Sequence, residues 1–420
     1  MERIIIQGKK RLAGSVDING AKNASVAILA SALSSRASCV VENLPYIEDV
    51  LCVVDGLKSL GAKCQFLSRH TLMIDSSNIT DYMAIHESLK KIRASYYFVG
   101  ALLGRFKKAE VILPGGCNFG SRPIDLHQKG FEALGAKVSI EHGLFKAHAD
   151  KLTGAHIYLD TASVGATINI MLAAVYAEGV TIIENAAKEP HVVDTAGFLN
   201  SMGARIRGAG TYIIRVTGVK ALRGSTYAII PDQIEAGTYM IASAITGGDI
   251  TVRNIIPQHM DSLSAKLKEM RCEVIEGDDY IRIVGSGKLS GTNIKTTPYP
   301  GFPTDLQPQM TALLCVADNS SMLTEGIWEN RFQYVDELRR FGANISVKGR
   351  TAFIEGNIAL TGAEVSATDL RAGVALVIAG LAAEGVTTIN DVKYIDRGYE
   401  NIESKLGALG ADIKRVTVKS

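Results

Sequence analysis

The sequence has few features that would tie it to a metal, a nucleic acid or a redox cofactor. Its six cysteines form no CxxC pair and its eight histidines show no HExxH spacing, which argues against a zinc site and against a disulfide framework. The 45 Lys and Arg residues nearly balance 43 Asp and Glu residues, so the net charge of +2 gives no reason to expect a nucleic acid or an anionic membrane as the main partner. Neither a GxGxxG nor a Walker A pattern occurs, which disfavours dinucleotide redox and ATP-driven chemistry.

Long hydrophobic runs are missing as well. The longest apolar run, Ala372 to Ala383, is too short to span a bilayer. The first residues, MERIIIQGKKRL, contain only three consecutive large apolar residues before charges return. We therefore expect neither a signal peptide nor a membrane anchor, and a cytoplasmic protein. Aromatic residues make up only 6% of the 420 residues whereas glycine occurs 41 times, which favours many short strands and closely packed helices joined by frequent turns.

A repeated octapeptide organises the chain. Copies begin at residues 57, 131, 199, 267, 338 and 406, and they read LKSLGAKC, FEALGAKV, LNSMGARI, LKEMRCEV, LRRFGANI and LGALGADI. Each copy predicts the last turn of an amphipathic helix, a glycine at the end of that helix and then an alternating strand. The fourth copy has Arg271 and Cys272 where the others have Gly and Ala, so we expect its helix to end differently.

An apolar segment rich in Ala and Gly precedes each octapeptide, for example SVGATINIMLAAVYAEG. Because it is apolar nearly all round, it predicts a helix that is buried on every side. Each unit of about 70 residues thus has strands, a buried helix and an amphipathic helix. A solenoid is the simplest alternative, but this period is longer than the familiar solenoid periods. We predict six units in two globular groups of three.

Basic residues stand at the start of several buried segments. Lys22 opens the first segment, and Arg93 and Arg371 lie at the corresponding ends of the second and sixth units. Helix N-termini attract anions through their N–H groups and the helix dipole. A lysine that snorkels at the rim is the alternative for Lys22 alone. Three basic residues at equivalent helix starts favour an anion site.

Two other residues have the character of catalytic groups. Four of the ten prolines surround Asp305 in TTPYPGFPTDLQPQ and would hold its carboxylate in place, although an aspartate that caps the helix is the alternative. Cys117 follows two glycines in LPGGCNFGSRPIDLH and precedes Arg122 by five residues. A thiol near a fixed positive charge has a lowered pKa, and its thiolate is the reactive form. The other five cysteines lie in apolar contexts typical of inert thiols, which is also the alternative for Cys117.

Acidic residues near other helix starts fit either structural or functional roles. In YIDRGYENIESKL, Asp396 is a candidate helix cap and Arg397 a candidate anion ligand. The segment PDQIEAGTY contains a further acidic pair, Asp232 and Glu235, near a predicted helix start.

Seven motifs occur in order along the whole chain: GAKNAS, LPGGCNFGSRPIDLH, SVGAT, PDQIEAGTY, PGFPTDLQPQ, ENRF and DRGYENIE. In combination they resemble the UDP-N-acetylglucosamine enolpyruvyl transferases of the EPSP synthase superfamily, the fosfomycin targets that begin peptidoglycan precursor synthesis. The resemblance implies an α/β fold of two inside-out α/β barrels with three repeats each. Residues 22–230 would form one domain, which carries the cysteine on a lid loop, and residues 1–21 and 231–420 would form the other. The active site would lie in the cleft between them.

The resemblance also implies the reaction. The enolpyruvyl group of phosphoenolpyruvate moves to the 3'-hydroxyl of UDP-N-acetylglucosamine and phosphate is released, with no metal and no cofactor. An acid must protonate the vinyl carbon, a base must take the hydroxyl proton, and cations must hold the phosphate and the carboxylate. By motif, Cys117 is the proton donor, which can also form a covalent adduct with phosphoenolpyruvate, and Asp305 receives the hydroxyl proton.

The remaining site residues follow from the same resemblance. The expected phosphoenolpyruvate ligands are Lys22, Asn23, Arg122, Arg371 and Arg397. The expected contacts of UDP-N-acetylglucosamine are Arg93, Arg122, Pro123, Ile124, Asp125, Leu126, Ser163, Val164, Gly165, Asp305 and Ile327. Two positions depart from the family: Thr161 replaces a lysine that binds phosphate in some members, and Tyr394 replaces a histidine. These departures bear on a diphosphate contact and on an interaction beside Arg397.

Two alternative functions remain. The sister enzyme enolpyruvylshikimate-phosphate synthase has the same repeats and chemistry, but it lacks the lid cysteine and opens with a different lysine motif. A noncatalytic scaffold that binds a sugar nucleotide would not need a rigid carboxylate together with a reactive thiol. Cys117 and the GAKNAS motif therefore favour the sugar-nucleotide enzyme.

Overall fold

The computed structural model describes residues 2–114 and 124–417. These residues form two compact units. We call residues 2–19 with 231–417 the terminal unit, and residues 20–114 with 124–230 the middle unit. Each unit has its own cluster of buried apolar side chains.

The strands are short, as the many glycines predict. Numbered along the chain, they are β1 (Glu2–Gln7), β2 (Ala13–Asp17), β3 (Ser38–Glu42), β4 (Lys63–Ser68), β5 (Thr71–Asp75), β6 (Met83–Ala84), β7 (Lys108–Ile112), β8 (Lys137–Glu141), β9 (Leu144–His148), β10 (His156–Tyr158), β11 (Val180–Glu184), β12 (Arg205–Arg207), β13 (Ile213–Thr217), β14 (Thr226–Ala228), β15 (Asp249–Arg253), β16 (Glu273–Glu276), β17 (Tyr280–Val284), β18 (Ile294–Lys295), β19 (Ser321–Thr324), β20 (Ile345–Lys348), β21 (Thr351–Ile354), β22 (Glu364–Ser366), β23 (Val386–Asn390) and β24 (Asp412–Thr417).

The α-helices lie between groups of these strands along the chain. They are α1 (Lys22–Ser31), α2 (Glu48–Ser59), α3 (Glu87–Lys90), α4 (Tyr97–Phe106), α5 (Asp125–Ala133), α6 (Val164–Ala174), α7 (Pro190–Ser201), α8 (Gln233–Ile245), α9 (Asp261–Glu269), α10 (Gln307–Cys315), α11 (Val335–Arg339), α12 (Leu370–Ala382) and α13 (Ile402–Ala408). Over residues 2–114 and 124–417, none of these helices has the length and apolar character needed to cross a membrane.

Within the described ranges the strands form six four-stranded sheets that share one topology: a parallel pair followed by two antiparallel pairings. In the middle unit the orders are β14-β3-β5-β4, β6-β7-β9-β8 and β10-β11-β13-β12. In the terminal unit they are β2-β15-β17-β16, β18-β19-β21-β20 and β22-β23-β1-β24. The sixth sheet is completed by the first strand of the chain, because β1 pairs with both β23 and β24.

The Ala- and Gly-rich segment upstream of each octapeptide forms a buried helix, as its composition predicts. Every residue of α10 and of α12 is buried, and α8, α10 and α12 contact one another in the terminal unit. In the middle unit α4 contacts both α1 and α6. The other helix of each repeat is α2, α5, α7, α9, α11 or α13. The structure thus contains the predicted repeat, three times in each unit.

The ends of these second helices share one backbone geometry. Five copies carry glycine with a positive φ, for example 96° at Gly135 and 107° at Gly203. Our expectation that the fourth helix ends differently is wrong, because Arg271 takes the glycine's place at φ 69°. Its N–H bonds the carbonyl of Lys268 as the N–H of Gly135 bonds that of Glu132. A left-handed conformation is costly for residues with a Cβ, so Arg271 adopts it under the constraint of the fold.

Arg271→Gly should therefore stabilise the terminal unit. The Arg271 side chain is exposed, so its loss removes little packing. We expect the free energy of unfolding to rise by about 1 kcal/mol, because glycine has no steric penalty in the left-handed region. Urea denaturation followed by circular dichroism measures this change. Gly203→Ala at φ 107° is the reverse control and should lower the stability of the middle unit; an Arg271→Gly protein less stable than the parent would contradict the argument.

Candidate active site

In the middle unit the predicted site residues begin buried helices. Lys22 is the first residue of α1 and Asn23 the second. Arg93 begins a 3-10 helix that leads directly into α4, and Ser163 is the N-cap of α6. Because the first N–H groups of a helix have no partner within the helix, these ends combine cationic side chains with backbone donors.

Lys22 is held by a buried carboxylate. Its Nζ lies 2.9 Å from Oδ2 of Asp49, which is in the first turn of α2 and 3% exposed. The rim position that was the alternative for Lys22 is therefore not observed. A lysine ammonium has three N–H donors, so an ion pair with Asp49 is compatible with a second anionic partner. Asp49 was missed by the sequence analysis because an acidic residue at the start of an amphipathic helix is common.

The first turn of α6 contains the three residues expected beside the diphosphate. The hydroxyl of Ser163 accepts a 3.3 Å hydrogen bond from the N–H of Ala166, so it caps the helix. Val164 and Gly165 follow as its first two residues. Thr161, at the position of the family's lysine, is exposed just before this turn.

His127 lies beside this turn, and its tautomer is fixed by its neighbours. The Asn169 amide can point in only one direction, because Oδ1 accepts from the N–H of Gly100 at 2.8 Å and Nδ2 donates to the carbonyl of Tyr96 at 2.7 Å. Nδ2 also donates to Nδ1 of His127 at 2.9 Å. Since Nδ1 accepts, the proton of the neutral ring is on Nε2. Burial lowers the pKa of His127 to about 4, so the ring is uncharged at neutral pH.

The Nε2–H group of His127 is therefore a neutral donor next to α6. A Cβ placed on Gly165 would lie only 3.1 Å from Nε2. Together with the backbone N–H groups of the helix start, this donor suits an anionic oxygen such as that of a phosphate. His127 is the last residue of the LPGGCNFGSRPIDLH motif, and that position was the one signal in the sequence that could have identified it.

In the terminal unit Asp305 lies in the 3-10 helix Thr304–Leu306 and contacts two arginines. Its Oδ2 accepts from Nη2 of Arg371 at 3.0 Å and its Oδ1 accepts from Nη2 of Arg331 at 3.3 Å. Both guanidinium groups are almost fully buried, whereas 27% of the Asp305 side chain is exposed. Pro303 is the N-cap of this helix, without a side-chain cap bond, so the alternative role of Asp305 as a cap is wrong.

This geometry suits a proton acceptor. A carboxylate oxygen has two lone pairs, so a contact with an arginine does not by itself exclude a further hydrogen bond to an Asp305 oxygen. Burial alone would lower the pKa of Arg371, but the Asp305 charge and hydrogen bond raise it above its usual range. Arg371 therefore stays cationic. Arg331 belongs to the ENRF motif but was missed, because nothing local in the sequence links it to Asp305.

A buried glutamate organises the segment around Ile327. Glu325 accepts hydrogen bonds from the N–H groups of Ile327 at 2.8 Å and Trp328 at 3.1 Å. It also accepts from the hydroxyls of Thr296 at 2.7 Å and Thr304 at 3.0 Å. The Ile327 amide is thus occupied, and a nucleotide contact from this residue would come from its carbonyl oxygen. Glu325 also connects this segment to Thr304, the neighbour of Asp305.

Three acidic residues make structural contacts. Asp396 is not the N-cap of a neighbouring helix, because Asp391 caps the 3-10 helix Val392–Tyr394 and Asn401 caps α13. Its carboxylate pairs with Arg415 at 2.6 Å. Asp232 caps α8 by accepting from the N–H of Glu235 at 3.2 Å, and Glu235 pairs with Lys405 at 2.7 Å.

The other predicted residues are distributed as follows. Ile124 is the N-cap of α5, Asp125 is its exposed first residue and Leu126 is buried. Arg397 lies half-buried in a turn just after Tyr394. Cys117, Arg122 and Pro123 lie outside the described residues. Among residues 2–114 and 124–417, no group of three or more His, Cys, Asp or Glu side chains is arranged to hold a metal ion.

The five described cysteines have the properties of inert thiols. Cys39, Cys52, Cys272 and Cys315 are buried and Cys64 is half-buried. Burial raises all five pKa values, to about 11 for Cys52 and Cys64 and about 12 for Cys315. A thiol with so high a pKa is almost entirely protonated at neutral pH and reacts slowly.

Comparisons with known proteins show the family and the fold of the chain. A UDP-N-acetylglucosamine 1-carboxyvinyltransferase of Clostridium botulinum is 60% identical over 417 residues, which cover 99% of this chain and all of that protein. The enolpyruvyl transferase NikO from Streptomyces tendae matches 100% of this chain and 99% of its own with a TM-score of 0.89 and 25% identity. An EPSP synthase from Acinetobacter baumannii matches 100% of both chains with a TM-score of 0.75 at 20% identity, which shows the fold alone.

These structural neighbours confirm the predicted α/β fold of the enolpyruvyl transferases. The family model of EPSP synthase (3-phosphoshikimate 1-carboxyvinyltransferase) matches residues 6–406. The chain belongs to the EPSP synthase family.

Proposed function

We propose that the protein transfers the enolpyruvyl group of phosphoenolpyruvate to the 3'-hydroxyl of UDP-N-acetylglucosamine and releases phosphate, the first committed step of peptidoglycan synthesis. The observation that carries this proposal is the 60% identity, over essentially the full length of both chains, to a UDP-N-acetylglucosamine 1-carboxyvinyltransferase. Because both substrates are water-soluble metabolites, we expect the enzyme in the cytoplasm, with no metal and no cofactor.

The proposed chemistry has two stages. In the first, Asp305 accepts the 3'-hydroxyl proton as the oxygen bonds to C2 of phosphoenolpyruvate, and Cys117 gives a proton to C3. The product is a tetrahedral adduct that still carries the phosphate. In the second, the C2–O bond to phosphate breaks and a proton leaves the new methyl group, which restores the carbon–carbon double bond. The contact of Asp305 with two buried arginines supports its role as a fixed carboxylate.

Phosphoenolpyruvate carries close to three negative charges, and several cations are needed to bind it. We assign Lys22, Arg122, Arg371 and Arg397 to this task, with Asn23 as a polar neighbour. The Asp49 contact supports the role of Lys22, because it holds the ammonium at the start of α1.

For UDP-N-acetylglucosamine we assign the diphosphate to the start of α6, with Ser163, Val164, Gly165 and the Nε2–H of His127. These neutral donors can replace the lysine that some family members have at the position of Thr161. The remaining proposed contacts are Arg93, Arg122, Pro123, Ile124, Asp125, Leu126, Asp305 and the carbonyl of Ile327.

The main competitor is transfer to shikimate 3-phosphate, the reaction for which the family is named. The low identity of 20% to an EPSP synthase and the presence of Cys117 disfavour it. Incubation with phosphoenolpyruvate and either acceptor decides between them. We expect rapid phosphate release with UDP-N-acetylglucosamine only; release only with shikimate 3-phosphate would reverse the assignment, and release with neither would favour the noncatalytic scaffold.

Asp305→Asn should abolish most turnover. The amide keeps the shape but not the basicity, so we expect kcat to fall by about 10²-fold or more while KM for UDP-N-acetylglucosamine changes little. Steady-state kinetics of phosphate release measure both values. The control is Asp249→Asn, which removes a half-buried carboxylate paired with Arg282 at 2.7 Å in the same unit and should leave kcat unchanged. An Asp305→Asn enzyme with kcat near that of the parent would contradict the assignment of Asp305 as the base.

His127→Asn should weaken the sugar nucleotide specifically. Asparagine can occupy the Nδ1 position but does not reach Nε2, so the loss of one hydrogen bond to the diphosphate should raise KM for UDP-N-acetylglucosamine about 10-fold. His127→Gln, whose amide reaches further, should recover part of this loss. Because the pKa of His127 is about 4, the ratio of mutant to parent KM should stay constant between pH 6 and pH 8. A ratio that changes strongly across this range would contradict an uncharged ring.

A small epoxide that carries a phosphonate, such as fosfomycin, should alkylate Cys117 alone. The proposed cations would bind the phosphonate and present the epoxide to a reactive thiol, whereas burial keeps the five described cysteines protonated. Peptide mass mapping locates the label. Cys117→Ser should be nearly inactive, and Cys117→Asp should keep activity at lower pH and resist the epoxide. A label on any other cysteine, or a fully active Ser variant, would refute the role of Cys117.

A further inference from the structure

A chain of buried hydrogen bonds connects Asp305 to the backbone of α8. The Thr238 hydroxyl lies 2.8 Å from the carbonyl of Ile234 and 2.7 Å from the hydroxyl of Tyr399. The Tyr399 hydroxyl is in turn 3.3 Å from Nη1 of Arg371, whose Nη2 donates to Asp305 at 3.0 Å. All of these residues belong to the terminal unit.

The direction of each hydrogen bond is fixed by its ends. The Ile234 carbonyl can only accept, so the one hydroxyl proton of Thr238 is used there. The Thr238 oxygen must then accept from Tyr399, which uses the phenol proton. The Tyr399 oxygen is left as an acceptor, and it receives Nη1–H of Arg371. Burial raises the pKa of Tyr399, so the phenol keeps the proton that this order requires.

A second donor reinforces the same order. Nε2 of Gln309, in α10, lies 3.3 Å from the Thr238 hydroxyl and 3.4 Å from the Tyr399 hydroxyl. Tyr399 and Thr238 are 2% and 1% exposed, so water does not compete for these groups. In such surroundings a guanidinium keeps the orientation that its fixed acceptors give it, because an unsatisfied buried N–H is costly. The Tyr399 ring also lies against Arg371, 5.7 Å from its guanidinium carbon.

We propose that Tyr399 is a positioning residue for the hydroxyl-proton step: its oxygen accepts from Nη1 of Arg371 and thereby directs Nη2 to the Asp305 carboxylate. This inference rests on the proposed function, in which Asp305 receives the 3'-hydroxyl proton. Tyr399 acts only through Arg371 and touches no substrate. Loss of the Tyr399 hydroxyl removes the acceptor of Nη1, so the guanidinium of Arg371 can turn and no longer fixes the orientation of the Asp305 carboxylate.

The terminal unit contains a closely matched control. Tyr334 is also buried, and its hydroxyl lies 2.7 Å from the hydroxyl of Thr311, which donates to the carbonyl four residues earlier in α10 as Thr238 does in α8. The second partner of the Tyr334 hydroxyl is the Gln307 side chain at 2.9 Å, where Tyr399 has Arg371. Tyr334→Phe thus removes the same kind of buried hydroxyl, whose hydrogen bonds go to Thr311 and Gln307 instead of Arg371.

The test compares Tyr399→Phe with Tyr334→Phe by steady-state kinetics and thermal unfolding. We expect Tyr399→Phe to lower kcat about 10-fold or more, since small displacements of a catalytic group are costly, with KM for UDP-N-acetylglucosamine changed less than about twofold. Tyr334→Phe should destabilise the protein to a similar extent but leave kcat within about twofold of the parent. Equal kcat values for the two variants would overturn the proposal.

A double-mutant cycle shows whether Tyr399 acts through Arg371. Lysine at position 371 lacks the two separate nitrogens with which arginine binds Tyr399 and Asp305. In this Arg371→Lys background, adding Tyr399→Phe should therefore change kcat less than about twofold. A full additive loss in that background would overturn the proposal. If Tyr399→Phe does not fold, Thr238→Val and its control Thr311→Val provide the same comparison one hydrogen bond further away. The parent enzyme separates the two hypotheses. Absence of phosphate release by the parent contradicts the proposed function and with it the role of Tyr399, whereas an active parent with equal kcat values for Tyr399→Phe and Tyr334→Phe contradicts the role of Tyr399 alone.

Discussion

A helix that is buried on every side can present polar groups to a ligand only at its ends, and the candidate site follows from this constraint. The buried helices of both units have almost no exposed face, as α10 and α12 show most clearly. Lys22, Arg93, Ser163, Asp305 and Arg371 all stand at or just before the start of such a helix. There the backbone N–H groups and the helix dipole favour anions. The repeat thus places a similar anion-favouring helix start in the chain several times. The side chains at these starts differ, and so do the groups that each start can bind.

Burial decides what those side chains can do. Arg371 and Arg331 are nearly inaccessible and share the carboxylate of Asp305, which is partly exposed. A buried charged group needs a hydrogen-bond partner for each of its donors, and these partners then fix the orientation of the group. Asp305 is consequently held by two buried cations while its side chain stays 27% exposed. His127 follows the same rule, because Asn169 determines its tautomer and burial keeps it uncharged.

The sequence predicted what is local and periodic. The octapeptide repeat identified the helix ends and the number of units, and the apolar segments identified the buried helices. The sequence did not predict the contacts that join distant parts of the chain. These are the contacts of Asp305 with Arg331 and Arg371, of Lys22 with Asp49 and of Asp396 with Arg415. Arg271 shows the opposite error, because the fold imposes on it a conformation that its side chain disfavours.

The proposed reaction attaches an enolpyruvyl group to the sugar of a UDP-N-acetylglucosamine molecule. Mass spectrometry of the acceptor after incubation with phosphoenolpyruvate detects this product. We expect UDP-N-acetylglucosamine to gain one enolpyruvyl group for each phosphate released, and shikimate 3-phosphate to stay unchanged under the same conditions. An unmodified sugar nucleotide, or a modified shikimate 3-phosphate, would contradict it.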